Sequence, residues 1–383
     1  MRMKAIVLYL FIVLLLSACG EETPAENSTA VSPGIDADTL RIAGTIGAEL
    51  GDSTNTFGIL GEAEYHEVTG NIIVLDTGMS CLKEYTPEGQ YIRQVSRQGD
   101  GPGELSVVSF EFFQMGGETH VNNMMKQGYV VFDDTLGFKE EISLWSQNPP
   151  LQCVAVSDTS YVAYKPDFAE GDGQNFVLYR RIVDFSYAQE DYGHVFWAES
   201  TDVSLNDLIN NGASDMINDF LLGLTLGGNQ DMILMALCES DLYEVHCWYP
   251  DGTEAMTIVQ DLEPVPKTEE EIAEERAYME GFFNQMGAQG MNGYDPEPYR
   301  DLILKVDIGP DGNIWVQRGT QERPLFDIFD MEGQPVGQYV FQETGWTWRF
   351  HISEQGILAW EEDPIAGYQQ LHIIDCSGFG LTQ

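Results

Sequence analysis

The chain has 383 residues, with 18 basic residues against 62 acidic ones and a formal charge of −44 at neutral pH. Such a balance repels nucleic acid and anionic lipid headgroups, so neither is expected as a partner. The acid is spread along the chain rather than blocked, as on the solvated surface of an exported protein or one from a salt-rich habitat.

Residues 1–18 carry Arg2 and Lys4, then an apolar run over 5–16 that ends in Leu16-Ser17-Ala18-Cys19. This pattern predicts a secretory signal, too short for a stable membrane span. Its ending resembles the lipobox of bacterial lipoproteins. The resemblance implies a diacylglycerol on the Cys19 thiol, cleavage after Ala18 and further acylation, with palmitate among the expected chains. Gly20 stands where an inner-membrane retention signal has Asp, so the expected place is the cell envelope outside the cytoplasm, on the outer membrane if the cell is Gram-negative. Loss of Arg2 and Lys4 with the signal leaves 16 basic against 62 acidic residues, a formal −46. Residues 19–38 are polar and rich in turn formers, and read as a disordered tether. Residues 39–383 form the folded domain.

Residues 39–46 are strand-like without a hairpin partner nearby, so they are expected to complete the last sheet of a closed structure. The stretch from 70 to 105 organises the rest. Runs at 72–75, 81–85 and 91–95, separated by tight turns, predict a β-meander. A meander this small needs packed neighbours. Its order of strand, turn, strand and Glu-Gly turn returns at 312–333 and again, with Ser-Gly in place of Glu-Gly, at 356–378, and the turn glycines Gly333 and Gly378 lie about 45 residues apart. That period, built from four short strands, is the mark of a β-propeller blade. The combination of Ile73-Val74-Leu75-Asp76, the Glu88-Gly89 turn and Gly99-Asp100-Gly101-Pro102-Gly103-Glu104-Leu105 resembles the six-bladed, NHL-repeat-like β-propellers of bacterial lipoproteins. The resemblance implies an all-β ring of six four-stranded blades. Gly99, Gly101 and Gly103 are expected to allow positive φ where one blade crosses to the next, with Pro102 fixing φ between them and Glu104 closing the motif. No helix follows these glycines and no Lys sits at a P-loop position, so the segment does not read as a nucleotide cradle.

Strand patterns continue at 109–114, 120–123 and 129–133, then at 151–157, 160–165 and 176–184. After a polar stretch at 199–219, with a short helix near 205–209, they resume at 220–225, 232–238, 242–249 and 253–259. One segment departs from β. Thr268 and Glu271 have capping-box spacing, and a helix is predicted from there through about residue 286, inside an insertion spanning about 267–298. Phe282, Phe283, Met286, Met291 and Tyr294 are the adaptable and aromatic groups of this insertion. They are candidates for a lid or binding surface, and the simpler reading has them sealing the blade edges.

Cys81, Cys153, Cys238, Cys247 and Cys376 are odd in number, and the strand register predicts Leu234, not Cys238, opposite Cys247. The six histidines show no zinc spacing and no HExxH, and no Gly-x-Ser-x-Gly elbow is present. Catalytic residues are therefore not assignable. The expected function is a non-enzymatic binding or scaffolding propeller for a protein, peptide or glycan, without a cofactor. The alternative, a propeller enzyme of the gluconolactonase type, implies Ca²⁺ in the central channel on Glu, Asn and Asp ligands.

Overall fold

Short apolar runs punctuated by glycine turns fold into antiparallel meanders, because each turn brings the next run back beside the last. The computed structural model describes residues 37–51, 54–106, 109, 111–143, 152–167, 174–182, 194–201, 223–273, 275–277, 295–319, 323–345, 347–361 and 367–379. The expectations at Cys19, at 205–209 and at Phe282, Phe283, Met286, Met291 and Tyr294 lie outside the described residues.

Two strands come first, β1 (Asp38–Leu40) and β2 (Ile42–Ile46). The first meander is β3 (Leu60–Tyr65), β4 (Ile72–Asp76), β5 (Cys81–Tyr85) and β6 (Tyr91–Gln94). The second is β7 (Phe112–Met115), β8 (Glu118–Asn123), β9 (Gly128–Phe132) and β10 (Phe138–Ser143). The third is β11 (Gln152–Ser157), β12 (Ser160–Asp167), β13 (Gln174–Ile182) and β14 (His194–Thr201). The fourth is β15 (Leu224–Gly228), β16 (Ile233–Leu237), β17 (Glu244–Trp248) and β18 (Glu254–Val259), with Leu234 opposite Cys247 as the register predicts. A two-stranded clamp of β19 (Val265–Pro266) and β20 (Tyr299–Arg300) follows. The fifth meander is β21 (Ile303–Ile308), β22 (Ile314–Arg318), β23 (Leu325–Phe329) and β24 (Pro335–Phe341). The last is β25 (Trp348–Ser353), β26 (Gly356–Glu361) and β27 (Leu371–Ile374), completed by β2.

The arrangement is a β-propeller. The first strands of successive sheets touch in turn, β7 to β11 to β15 to β21 to β25 to β3. The circle closes through Gln114 of β7, whose amide accepts from Glu67 N at 2.8 Å and donates to Tyr65 O at 2.7 Å. Gln152 of β11 makes the same two-point contact with β15, donating to Leu224 O and accepting from Leu226 N. Apolar packing is likewise divided among the joints between sheets. Ile46, Leu60, Val74, Leu358 and Leu371 share one cluster between the last sheet and the first, and Leu75, Leu82, Val121 and Val130 share the next. Burial on both faces explains why β4, Ile-Ile-Val-Leu-Asp, reads as a continuous apolar run rather than an alternating one.

Two expectations are corrected here. In place of six four-stranded blades, five four-stranded blades are found; the remaining sheet has five strands because β1 adds in parallel to β24. Residues 39–46 are accordingly not one closing strand. β1 belongs to the fifth meander's sheet, while β2 pairs antiparallel with β27 and closes the last.

The helix of the insertion begins as its capping box predicts, with Glu271 N donating to Thr268 Oγ1 and Thr268 N donating to a Glu271 carboxylate oxygen. Helical residues are described at 269–273 and 275–277. The foot of the insertion is fixed by the β19–β20 pairing, by Lys267 against Glu275 at 2.6 Å and by Arg276 against Asp295 at 2.8 Å.

Candidate functional site: the charged wall of the axial channel

Each propeller sheet contributes its first strand to the axis, so residues on those strands decide what the channel presents. On three of them an ionisable, apolar, ionisable triplet recurs: Glu62-Ala63-Glu64 on β3, Lys305-Val306-Asp307 on β21 and Arg349-Phe350-His351 on β25. The period of a strand is two, so the flanking residues share one side and the central one takes the other. Ala63, Val306 and Phe350 are buried between sheets, while each flanking residue is only half-buried. Glu111, immediately before β7, joins the group.

The groups feel one another. Lys305 acts through space on Glu62, Glu64, Glu111, Asp307 and His351, so all five lie within reach of its charge. Burial pushes the Glu62 carboxyl up, against the opposing pull of Lys305 and Arg349. Glu64 is raised to about 8 by burial and then by the charge of Glu62. Glu111 is held well above the usual carboxylate range, first by burial. Asp307 rises to about 6 for the same reason, tempered by Lys305 and by the hydrogen bond from Gly228 N. His351 is pushed down to about 3 by burial and by the nearby Lys305. Carboxyls raised and an imidazole lowered in one place mark a site that resists uncompensated charge.

Glu62, Glu64 and His351 stand closest. One donor atom from each lies within 4.8 Å of the other two, on adjacent strands β3 and β25. A bulge between Leu60 and Glu62 in the pairing of β3 with β4 sets the direction of the two glutamates. Two carboxylates and an imidazole are a donor set suited to a divalent transition metal. A cavity of about 20 Å³ between the second and third sheets, lined by Glu111 of this group together with Phe113, His120 and Cys153, has room for roughly one water.

The Gly-Pro-Gly segment has a different role from the channel. Gly101 N donates to a Glu104 carboxylate oxygen at 2.8 Å, and Arg97 Nε donates to the other at 2.7 Å. The chain's own carboxylate thus fills the turn. Of its glycines only Gly103 has positive φ, at 75°. Gly99 and Gly101 instead make room, since a Cβ on Gly99 would lie 2.0 Å from the Glu104 carboxylate. Pro102 sits in the turn between Gly101 and Gly103.

Sequence reasoning missed the channel residues. The available signal was the ionisable, apolar, ionisable triplet, which repeats at the first strand of three blades. It was hidden because Leu-Gly-Glu-Ala-Glu-Tyr lacks the β-branched run of an ordinary strand, and because His351 meets the two glutamates only through ring closure.

No family model and no curated protein matches this sequence. Among solved structures, the chain is similar to a protein described as exported from Bacteroides fragilis, at 12% identity and TM-score 0.47 over 88% of this chain and 95% of that one. It is similar to a DUF4221 family member from Bacteroides vulgatus at 9% identity and TM-score 0.48, covering 88% and 97%. It is also similar to a gluconolactonase from Xanthomonas campestris at 10% identity and TM-score 0.43, covering 94% and 98%.

Proposed function

We propose that this protein is an exported binding propeller, lipid-anchored at Cys19 to the cell envelope, that receives a protein, peptide or glycan group at its axial channel. We read the five-stranded sheet as a sixth blade beside the five of four strands, the number that the resemblance to NHL-like lipoprotein propellers implies. The observation that carries the reading is the convergence of Glu62, Glu64, Glu111, Lys305, Asp307, Arg349 and His351 from four sheets. Charged groups drawn inward are costly to a scaffold, and are retained where they meet a ligand. Four carboxyls with raised pKa values beside Lys305 and Arg349 offer both donors and acceptors, which favours a ligand rich in hydroxyl or amine groups. Imidazole in the closest donor group speaks against the Ca²⁺ enzyme alternative, because Ca²⁺ takes oxygen ligands.

Peptide and glycan arrays probed with the full chain, and with the charge-balanced pair Glu111→Gln and Lys305→Met, test this. The expected result is selective capture by the native chain that the paired variant loses while keeping its thermal midpoint. Undiminished capture by the folded variant overturns the channel as the binding site.

A further inference from the structure

We propose that Glu62, Glu64 and His351 form a site for one divalent transition-metal ion, of the Zn²⁺ or Mn²⁺ kind, inside the channel. The inference deepens the channel reading and takes from it only the location.

Three observations support it. First, the three donor atoms already lie within 4.8 Å of one another. A metal with ligand bonds of about 2.0–2.2 Å needs its donors roughly 3–4 Å apart, which small side-chain rotations achieve. Second, the donors are held by rigid elements. Glu62 and Glu64 are two residues apart on β3, and His351 lies on β25, which packs directly against β3. Among the described residues, the His351 ring has no hydrogen-bond partner that would commit its nitrogens elsewhere. Third, the surrounding charge matches. With all four carboxyls ionised, Glu62, Glu64, Glu111 and Asp307 outnumber Lys305 and Arg349 by two, the charge of one divalent ion, and binding would release the protons that burial keeps on them in its absence. The donor chemistry discriminates among ions: a mixed carboxylate and imidazole set suits Zn²⁺ or Mn²⁺, whereas Ca²⁺ and Mg²⁺ favour oxygen alone.

The test is calorimetric titration of Zn²⁺, Mn²⁺ and Ca²⁺ into the full chain, purified in detergent and stripped with chelator, together with the visible spectrum of the Co²⁺-loaded chain. The expected result is one equivalent of Zn²⁺ or Mn²⁺ per chain and a Co²⁺ spectrum with nitrogen coordination. Glu62→Gln, Glu64→Gln and His351→Ala should each weaken binding by about a hundredfold or more, on the scale by which even supporting residues of metal sites act. Glu88→Gln, on an exposed turn, should change nothing. If His351→Ala fails to fold, the isosteric Glu64→Gln carries the same comparison. Several weak equivalents that vanish with added salt would assign the binding to the acidic surface and overturn the proposal. So would Ca²⁺ binding as tight as Zn²⁺ and indifferent to His351→Ala, or no saturable binding at all. Metal binding without channel-dependent capture on the arrays leaves this inference standing and removes the ligand reading; the reverse outcome does the opposite.

Discussion

Asp76 and Lys83 give the sharpest stability prediction. Both side chains are essentially buried, at 0% and 1% exposure, and their ion pair measures 2.9 Å. Their surroundings are unequal. Asp76 also accepts from the backbone N–H groups of Gly58 at 3.0 Å, Ile59 at 3.2 Å and Met79 at 3.0 Å. Lys83 has Thr56 O at 2.8 Å, with the Phe57 ring 5.2 Å from its Nζ. Asp76→Ala therefore strands a buried ammonium and three backbone donors together. Breaking a buried pair costs about 3–5 kcal/mol and each orphaned donor about 1–3 kcal/mol, so a combined loss of at least about 6 kcal/mol is expected. Lys83→Met removes the cation but leaves the Asp76 carboxylate its three donors and fills the space with an apolar stem. A loss of about 1–3 kcal/mol is expected, and the double variant should fall below Asp76→Ala in damage. Urea denaturation followed by tryptophan fluorescence reads the difference as a shift in midpoint at unchanged slope. If Lys83→Met proves as destabilising as Asp76→Ala, the backbone donors do not hold the carboxylate as argued, and the reasoning fails.

Deleting residues 38–46 should lower the thermal midpoint by many degrees and expose β27 as an open edge, read by aggregation on heating; an unchanged midpoint would refute closure by β2. Gly103→Ala should cost about 1–2 kcal/mol, because φ is 75° and the new Cβ would press on Phe138 at 3.0 Å, whereas Pro102→Ala should cost under about 1 kcal/mol. Asp301 has its carboxyl raised to about 7, chiefly by burial. Between the ordinary value of 3.8 and 7 the unfolded chain has released this proton while the folded chain keeps it, so stability falls as pH rises through that window and the full penalty stands above 7. Asp301→Asn should flatten that fall in denaturation midpoints taken from pH 4 to 8. Mass spectrometry of the mature amino terminus should find a lipidated Cys19, and an unmodified one would remove the anchor.

The sheets were legible in proportion to how apolar they are. β4, β5 and β6 stand within a residue of their expected bounds, since the run over 72–75 and the turn at Glu88-Gly89 leave one way to fold. β3 and β10 went unrecognised because charged residues, Glu62 and Glu64 on the one and Lys139 and Glu141 on the other, interrupt the hydrophobic period. The capping box at Thr268 was legible because its two hydrogen bonds are local. The joints between blades were not, since a Gln114 or a Gln152 is an ordinary surface residue until its neighbour in the ring is known. The same holds for the channel. Nothing within the sequence around His351 points to Glu62, 289 positions earlier, and only closure of the circle brings them together.

The division of labour between β1 and β2 has a mechanical consequence. Only Arg41 separates Leu40 from Ile42, yet the strands on either side grip different sheets, with Gln342 N donating to Leu40 O at 3.1 Å and Asp375 N donating to Arg41 O at 2.8 Å. A pull arriving from the preceding residues loads β1 along its own length against parallel β24, so its three-residue ladder resists in shear, all bonds together, before any load reaches β2. The amino end therefore acts as a latch that takes drag in series. The strand that seals the circle is shielded by a sacrificial one, and the ring can be tugged from that end without first being opened.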